Sequence, residues 1–99
     1  MNVTLENDGP TTIISPEGRI DTVTAPELED AMSKIPQDAT SIKFDFAKVD
    51  YISSAGLRVL LVAQKTVKKN GGAMSIANVS PAVKDVFDIT GFSDILTIV

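Results

Sequence analysis

Hydrophobic positions along the chain switch between two periods, and the switches divide it into strands and helices. Val3-Thr4-Leu5 alternates, Asn7-Asp8-Gly9-Pro10 breaks the pattern, and a second apolar-rich stretch runs from Thr11 to Ser15, ahead of Pro16 and Gly18. Two short segments around an Asp-Gly turn predict an antiparallel hairpin at the N-terminus. Thr24-Ala25-Pro26-Glu27 has the form of a capping box, in which the Thr hydroxyl accepts from a first-turn amide and Glu27 reaches back. Leu28, Ala31, Met32 and Ile35 follow at i, i+3, i+4 and i+7, the apolar stripe of a helix that Pro36 ends. Ser41 to Phe46 alternates again, with Ile42, Phe44 and Phe46 on one face, and predicts a strand.

Ser53-Ser54-Ala55-Gly56 opens a long helical run from Leu57 to Lys69. Leu57, Leu60, Leu61 and Val67 form its stripe, and Val59, Val62 and Ala63 broaden it. Lys68 and Lys69 suit the negative end of the helix dipole, and Asn70-Gly71-Gly72 supplies a left-handed stop. Ala73 to Ala77 predicts a strand. Ser80-Pro81 caps a third helix with Val83, Val86, Phe87 and Thr90 on one side. Gly91 stops it, and Ile95 to Val99 reads as a final strand. Strands separated by single helices imply right-handed crossovers. The expectation is a small α/β fold: a mostly parallel mixed sheet of about five strands with three main helices packed against it. With no linker, repeat or low-complexity tract, residues 1–99 read as a single domain.

Composition narrows the chemistry. The chain has no Cys and no His, which removes disulfides, thiolate metal sites and the commonest general base. Nine Lys and Arg against thirteen Asp and Glu leave a net charge of −4, so neither nucleic acid nor anionic lipid is an expected partner. The first residues lack a charged and then apolar leader, and no apolar run reaches ~18 residues, which predicts a cytoplasmic protein away from the membrane. Asp21, Asp45 and Asp50 lack regular ligand spacing and read as turn-forming or solvated, so no metal or other cofactor is expected. Lys65, Lys68 and Lys69 read as a solvated helix end, and Phe87, Phe92 and Tyr51 as core.

The adjacent serines carry the one candidate site. One of them is expected to cap the helix, which leaves a hydroxyl to spare at the positive end of the helix, where a phosphate is well accommodated. A serine nucleophile needs a base, and without His or a Ser-x-x-Lys spacing none is at hand, so no catalytic residue is assigned.

In combination, three segments resemble the STAS domain of bacterial anti-sigma-factor antagonists across essentially the whole chain. They are Gly18-Arg19-Ile20-Asp21, Tyr51-Ile52-Ser53-Ser54-Ala55-Gly56-Leu57, and the stretch from Asn78-Val79-Ser80-Pro81 to Thr90-Gly91-Phe92. The resemblance implies a non-enzymatic regulator. Unphosphorylated, it binds an anti-sigma factor that is also a serine kinase and so frees a sigma factor; phosphorylated, it does not bind. A PP2C-type phosphatase resets it. The family pattern Asp-Ser-Ser/Thr-Gly-Leu lays the phosphoacceptor on Ser54, with Ser53 as the lesser candidate. The implied partner face holds Asp21, Ser53, Ser54, Ala55, Gly56 and Arg58. Ser53 stands where Asp is usual, Ala55 where Ser or Thr is usual, and Arg58 where Gly is common. Arg58 lies four residues after Ser54, on the same helix face, where it can pair with a phosphate. The alternative that keeps the fold is a cytoplasmic STAS accessory subunit of a transporter complex.

Overall fold

The computed structural model describes residues 1–36 and 39–99. Strands β1 (Asn2–Asp8) and β2 (Thr11–Ile20) form the antiparallel hairpin, with Asp8 opposite Thr11 across the Gly9-Pro10 turn. β2 runs further than its alternation suggests, through Pro16 to Ile20. Its first half pairs in parallel with β3 (Ser41–Asp45), from Thr11 opposite Ser41 to Ile14 opposite Phe44. Its second half pairs in parallel with β4 (Lys48–Ile52), from Glu17 opposite Lys48 to Ile20 opposite Ile52. Pro16 lies at the handover, where a missing amide is tolerated. Strand β5 (Ala73–Ala77) completes a five-stranded mixed sheet on the far side of β3.

The fifth strand is thus β4, not the expected Ile95–Val99. The sequence hides β4 because of a bulge: Gly18 faces Val49 and Arg19 faces Tyr51, so Asp50 is passed over. The buried pair Val49 and Ile52 is therefore three residues apart, which no period-2 reading recovers. At the other end, the Ile95 and Leu96 amides donate to the Phe92 carbonyl, winding Phe92–Asp94 into a short 3₁₀ turn. Ile98 is left as a lone parallel bridge to Ile76.

A jog separates β3 from β4, and Asp45 holds it. Its Oδ1 accepts from the Ala47 amide and from Asn78 Nδ2, both at 3.0 Å. These two bonds hold the Asp45 carboxyl below its ordinary value. Asn78 adopts the left-handed backbone (φ 58°) that its short amide side chain tolerates. The jog lets one ten-residue strand support two successive parallel partners.

Helices α1 (Ala25–Met32), α2 (Ser54–Lys69) and α3 (Pro81–Thr90) bury the centres of their stripes in one shared core, while Val62, expected to broaden the stripe of α2, and Thr90 of α3 lie exposed and Leu61 is half-buried. Leu28 comes from α1, Leu57, Leu60 and Val67 from α2, and Val83 and Phe87 from α3. Phe44 meets Phe46 edge-on at 6.0 Å, and Phe46 lies 6.4 Å from Phe87. Ser80 caps α3 as expected, accepting from the Val83 amide, and Gly91 closes it at φ 80°. The capping box of α1 does not form. Thr24 Oγ1 instead accepts from the Asp21 amide (2.8 Å) and donates to the Arg19 carbonyl (2.7 Å), and Glu27 meets the Met1 amine. Asp21, three residues earlier, organises the turn ahead of the helix: its carboxylate accepts from the Val23 and Thr24 amides and its carbonyl from the Ala25 amide. Tyr51 is not core: its ring lies exposed at the sheet edge.

Candidate functional site

Parallel pairing of β2 with β4 decides what sits beside what. Ile20 and Ile52 are register partners and the last residues of their strands, so Asp21 and Ser53 leave the sheet side by side at its carboxyl edge. That edge is where open α/β sheets present ligands and partners. The Ser53 amide donates to the Ile20 carbonyl at 2.8 Å, carrying the ladder one residue past the strand. The chain then turns into α2.

Gly56 pins the helix start against the sheet. A Cβ at this position would lie 2.6 Å from both Ile20 Cγ2 and Ile52 Cγ1, which no folded protein accommodates without movement. Glycine here is required for close approach, not for an unusual backbone angle. Leu57, next along, is buried, and Ala55 packs half-buried against the core. The first turn is therefore fixed from below.

Within that turn the two serines differ sharply. Ser53 is the N-cap residue with extended backbone (φ −99°, ψ 178°), yet its side chain makes no capping bond. Its Oγ is buried and has no hydrogen-bond partner among the described residues. The sequence expectation that one serine caps the helix through its hydroxyl is not met. Ser54 is the first residue of α2 and is exposed. The amides of this first turn have no partner within the helix, and the turn contains no acidic side chain. The hydroxyl that faces outward is Ser54's.

Arg58 is exposed one turn further on, and shares with Ser54 a surface hollow lined also by Leu57, Leu61, Thr90 and Phe92. No carboxylate pairs with Arg58 among the described residues. On the other side, Asp21 Oδ1 accepts from the Val23 amide (3.0 Å) and the Thr24 amide (3.1 Å). The Thr24 amide above all holds the Asp21 carboxyl below its ordinary range, with Val23, the Thr24 hydroxyl and Arg19 adding to the effect. Asp21 is thus an anion committed to shaping the loop into α1.

The structure brings Asp21, Ser53, Ser54, Ala55, Gly56 and Arg58 to one end of the sheet, with Ala55 and Gly56 supporting from below. Two neighbours escape sequence reading. Arg19 stacks over the Tyr51 ring at 4.6 Å and lies 3.9 Å from Asp21. Both belong to the quoted motifs, but their meeting depends on the β2–β4 register. Phe92, expected in the core, packs half-buried against it and also lines the Ser54 hollow. Asp45, read as solvated or turn-forming, holds the jog. Among the described residues no helix is long and apolar enough to cross a membrane, and no group of three or more carboxylates could hold a metal ion.

Comparison with known proteins places this geometry. The profile of the STAS domain family matches residues 2–99. The chain is 35% identical over 81 residues to an anti-sigma-B factor antagonist of Bacillus subtilis, covering 82% of this chain and 74% of the relative. An anti-sigma-B factor antagonist of Staphylococcus epidermidis is 32% identical over 80 residues, covering 80% and 74%. Among solved structures, an anti-sigma factor antagonist from Mycobacterium paratuberculosis superposes with a TM-score of 0.87 at 26% identity, covering 98% of this chain and 83% of that one.

Proposed function

The chain belongs to the STAS domain family, and from that membership we propose that it is an anti-sigma factor antagonist switched by phosphorylation of Ser54. Unphosphorylated, it docks an anti-sigma factor through the face that holds Asp21, Ser53, Ser54 and Arg58, and so releases a sigma factor. The anti-sigma factor is also the serine kinase, a PP2C-type phosphatase removes the phosphate, and the exchange takes place in the cytoplasm. The chain itself is a binding module and performs no catalysis.

The observation that carries this reading is the exposed hydroxyl of Ser54 at the first position of α2, beside a neighbour whose own hydroxyl is buried. A kinase needs an acceptor oxygen it can reach, and that favours Ser54 over Ser53. The named relatives support the class of partner.

Magnitudes explain why the switch works without refolding. A phosphate on Ser54 adds about −1.5 to −2 charges at a helix N-terminus, which stabilises the isolated fold by roughly 0.3–1 kcal/mol. Pressed into an interface without a compensating cation, the same dianion costs on the order of several kcal/mol. About 4 kcal/mol is a thousandfold in affinity, so the interface cost dominates. Binding collapses while the fold persists.

Incubation with the cognate anti-sigma factor and ATP, followed by mass spectrometry, locates the phosphate. Ser54→Ala is expected to keep the fold and bind the kinase constitutively, and Ser54→Asp to bind it weakly. A phosphate found on Ser53 overturns the acceptor assignment. Copurification with membrane-transport subunits in place of a kinase overturns the antagonist reading.

A further inference from the structure

Helix α2 carries an uneven charge. Between Ser54 and Lys69 it holds Arg58, Lys65, Lys68 and Lys69, four of the chain's nine cations and none of its thirteen carboxylates. The net charge of −4 is therefore +4 on α2 and −8 on everything else. All four cations are exposed. The ion pairs among the described residues use Arg19, Lys34, Lys48, Lys84 and the Met1 amine, and none draws on α2.

Arg58, Val62, Lys65 and Lys69 fall at i, i+4, i+7 and i+11, one line along the outer surface of the helix. Val62 is 57% exposed in the middle of that line. It also forms the lip of an apolar groove between α1 and α2, floored by Met32, Ile35, Ile42 and Val67. At its head the ridge is continuous with the Ser54 face, because Arg58 lines both the Ser54 hollow and the adjoining cleft against Glu29 and Met32.

We infer that this ridge is a docking surface for an acidic, apolar-anchored segment of the protein partner. The apolar side chain of that segment fills the groove beside Val62, and its carboxylates meet Arg58, Lys65 and Lys69. This rests on the antagonist reading and adds the partner's chemistry to it. Charge complementarity selects the occupant: four cations with no ion-pair partner among the described residues, on an otherwise acidic protein, attract a compact acidic surface. The surrounding −8 repels an extended polyanion such as a duplex or an anionic bilayer. The ridge also gives the phosphate a second target. On Ser54 it stands at the head of the line, offsets about half of the +4 and engages Arg58, so the partner loses a cation as well as gaining an anion to accommodate.

Lys65→Glu tests the ridge, with Lys43→Glu, an exposed β3 lysine, as the control of equal net charge. Binding of the unphosphorylated chain to its anti-sigma factor is measured from about 50 to about 500 mM salt, a range over which screening shortens from over 10 Å to under 5 Å. Lys65→Glu is expected to weaken binding roughly tenfold at low salt, mostly through the association rate, with the gap closing at high salt. Lys43→Glu is expected to stay within about twofold of the unaltered chain. Equal affinities and salt slopes for both variants overturn the ridge and leave the antagonist reading standing. An unaltered chain that does not bind the anti-sigma factor overturns that reading itself. Binding of the unaltered chain to duplex DNA or anionic vesicles through Lys65, as tight as to the protein, overturns the assignment of occupant.

Discussion

Gly56→Ala is a small change with a large expected consequence. The added methyl falls 2.6 Å from Ile20 Cγ2 and 2.6 Å from Ile52 Cγ1, and 3.2 Å from Ile20 Cβ. Ordinary carbon contacts lie near 3.5–4.0 Å, so the helix start and the strand ends must separate by about 1 Å. Neither isoleucine can swing aside, because both are fully buried and β-branched, with one strongly preferred rotamer. Overpacking of this kind costs about 1–3 kcal/mol. Replacing Gly by Ala in a helix returns up to about 1 kcal/mol, less in the first turn, where fewer backbone bonds are at stake. The net is about 1–2 kcal/mol of destabilisation, which for a fold of this size lowers Tm by roughly 5–15 °C. Thermal unfolding by circular dichroism measures it. The same displacement lifts Ser54 from its place at the sheet edge, so the rate of phosphorylation is expected to fall even well below Tm. A Gly56→Ala protein that melts at or above the parent temperature would refute the close-packing argument, because helix propensity would then outweigh the contact.

Two further expectations concern charge. In the phosphorylated protein, Arg58→Ala is expected to raise the second phosphoserine pKa in a ³¹P titration and to lower Tm by a few degrees, the worth of a surface i, i+4 pair; identical titrations for the two proteins dismiss the pairing. Asp45 is expected to link stability to acid. Its carboxyl lies below the ordinary 3.8 in the folded protein, chiefly through the Asn78 side chain and then the Ala47 amide. A depressed carboxylate contributes stability that is complete above 3.8 and lost as pH falls through the folded value. Asp45→Asn should therefore be less stable than the parent at neutral pH and approach it as pH falls below 3.8 through the folded value. A stability gap between the two that does not change with pH contradicts the assignment.

What the sequence reveals and what it conceals follow from how local each cause is. The start of α2 was legible because two serines, a glycine and a helical stripe are all within a few residues of one another. Gly71 and Gly91 mark helix ends for the same reason. The capping box at Thr24 was misleading because both of its amides find other acceptors: the Thr24 amide that Glu27 would reach bonds the Asp21 carboxylate, and the Glu27 amide bonds the Thr24 carbonyl. The Asp21 carboxylate binds Val23 and Thr24, leaving the Thr hydroxyl to bridge the Asp21 amide and the Arg19 carbonyl. The strand at Lys48–Ile52 was invisible because a bulge at Asp50 breaks the alternation that announces strands. The Arg19–Tyr51 stack could not be read at all, since it exists only in one register of two segments about thirty residues apart.

The division of labour between Ser53 and Ser54 shows why the position of a single hydroxyl matters more than its chemistry. Ser53 still belongs to the sheet: its amide extends the β2–β4 ladder, and its side chain turns inward. Ser54 is the first residue free of that constraint, and its side chain turns out. A phosphate on Ser53 would have to replace a buried hydroxyl that no group among the described residues hydrogen-bonds, at the point where α2 lies against Ile20 and Ile52, the contact that Gly56 makes possible. A phosphate on Ser54 displaces nothing in the core. It changes the charge at the head of a basic ridge and leaves the packing beneath untouched. In the switch proposed above, this separation means that each cycle costs interface energy and not folding energy. Moving the acceptor by one residue toward the sheet would couple the signal to unfolding.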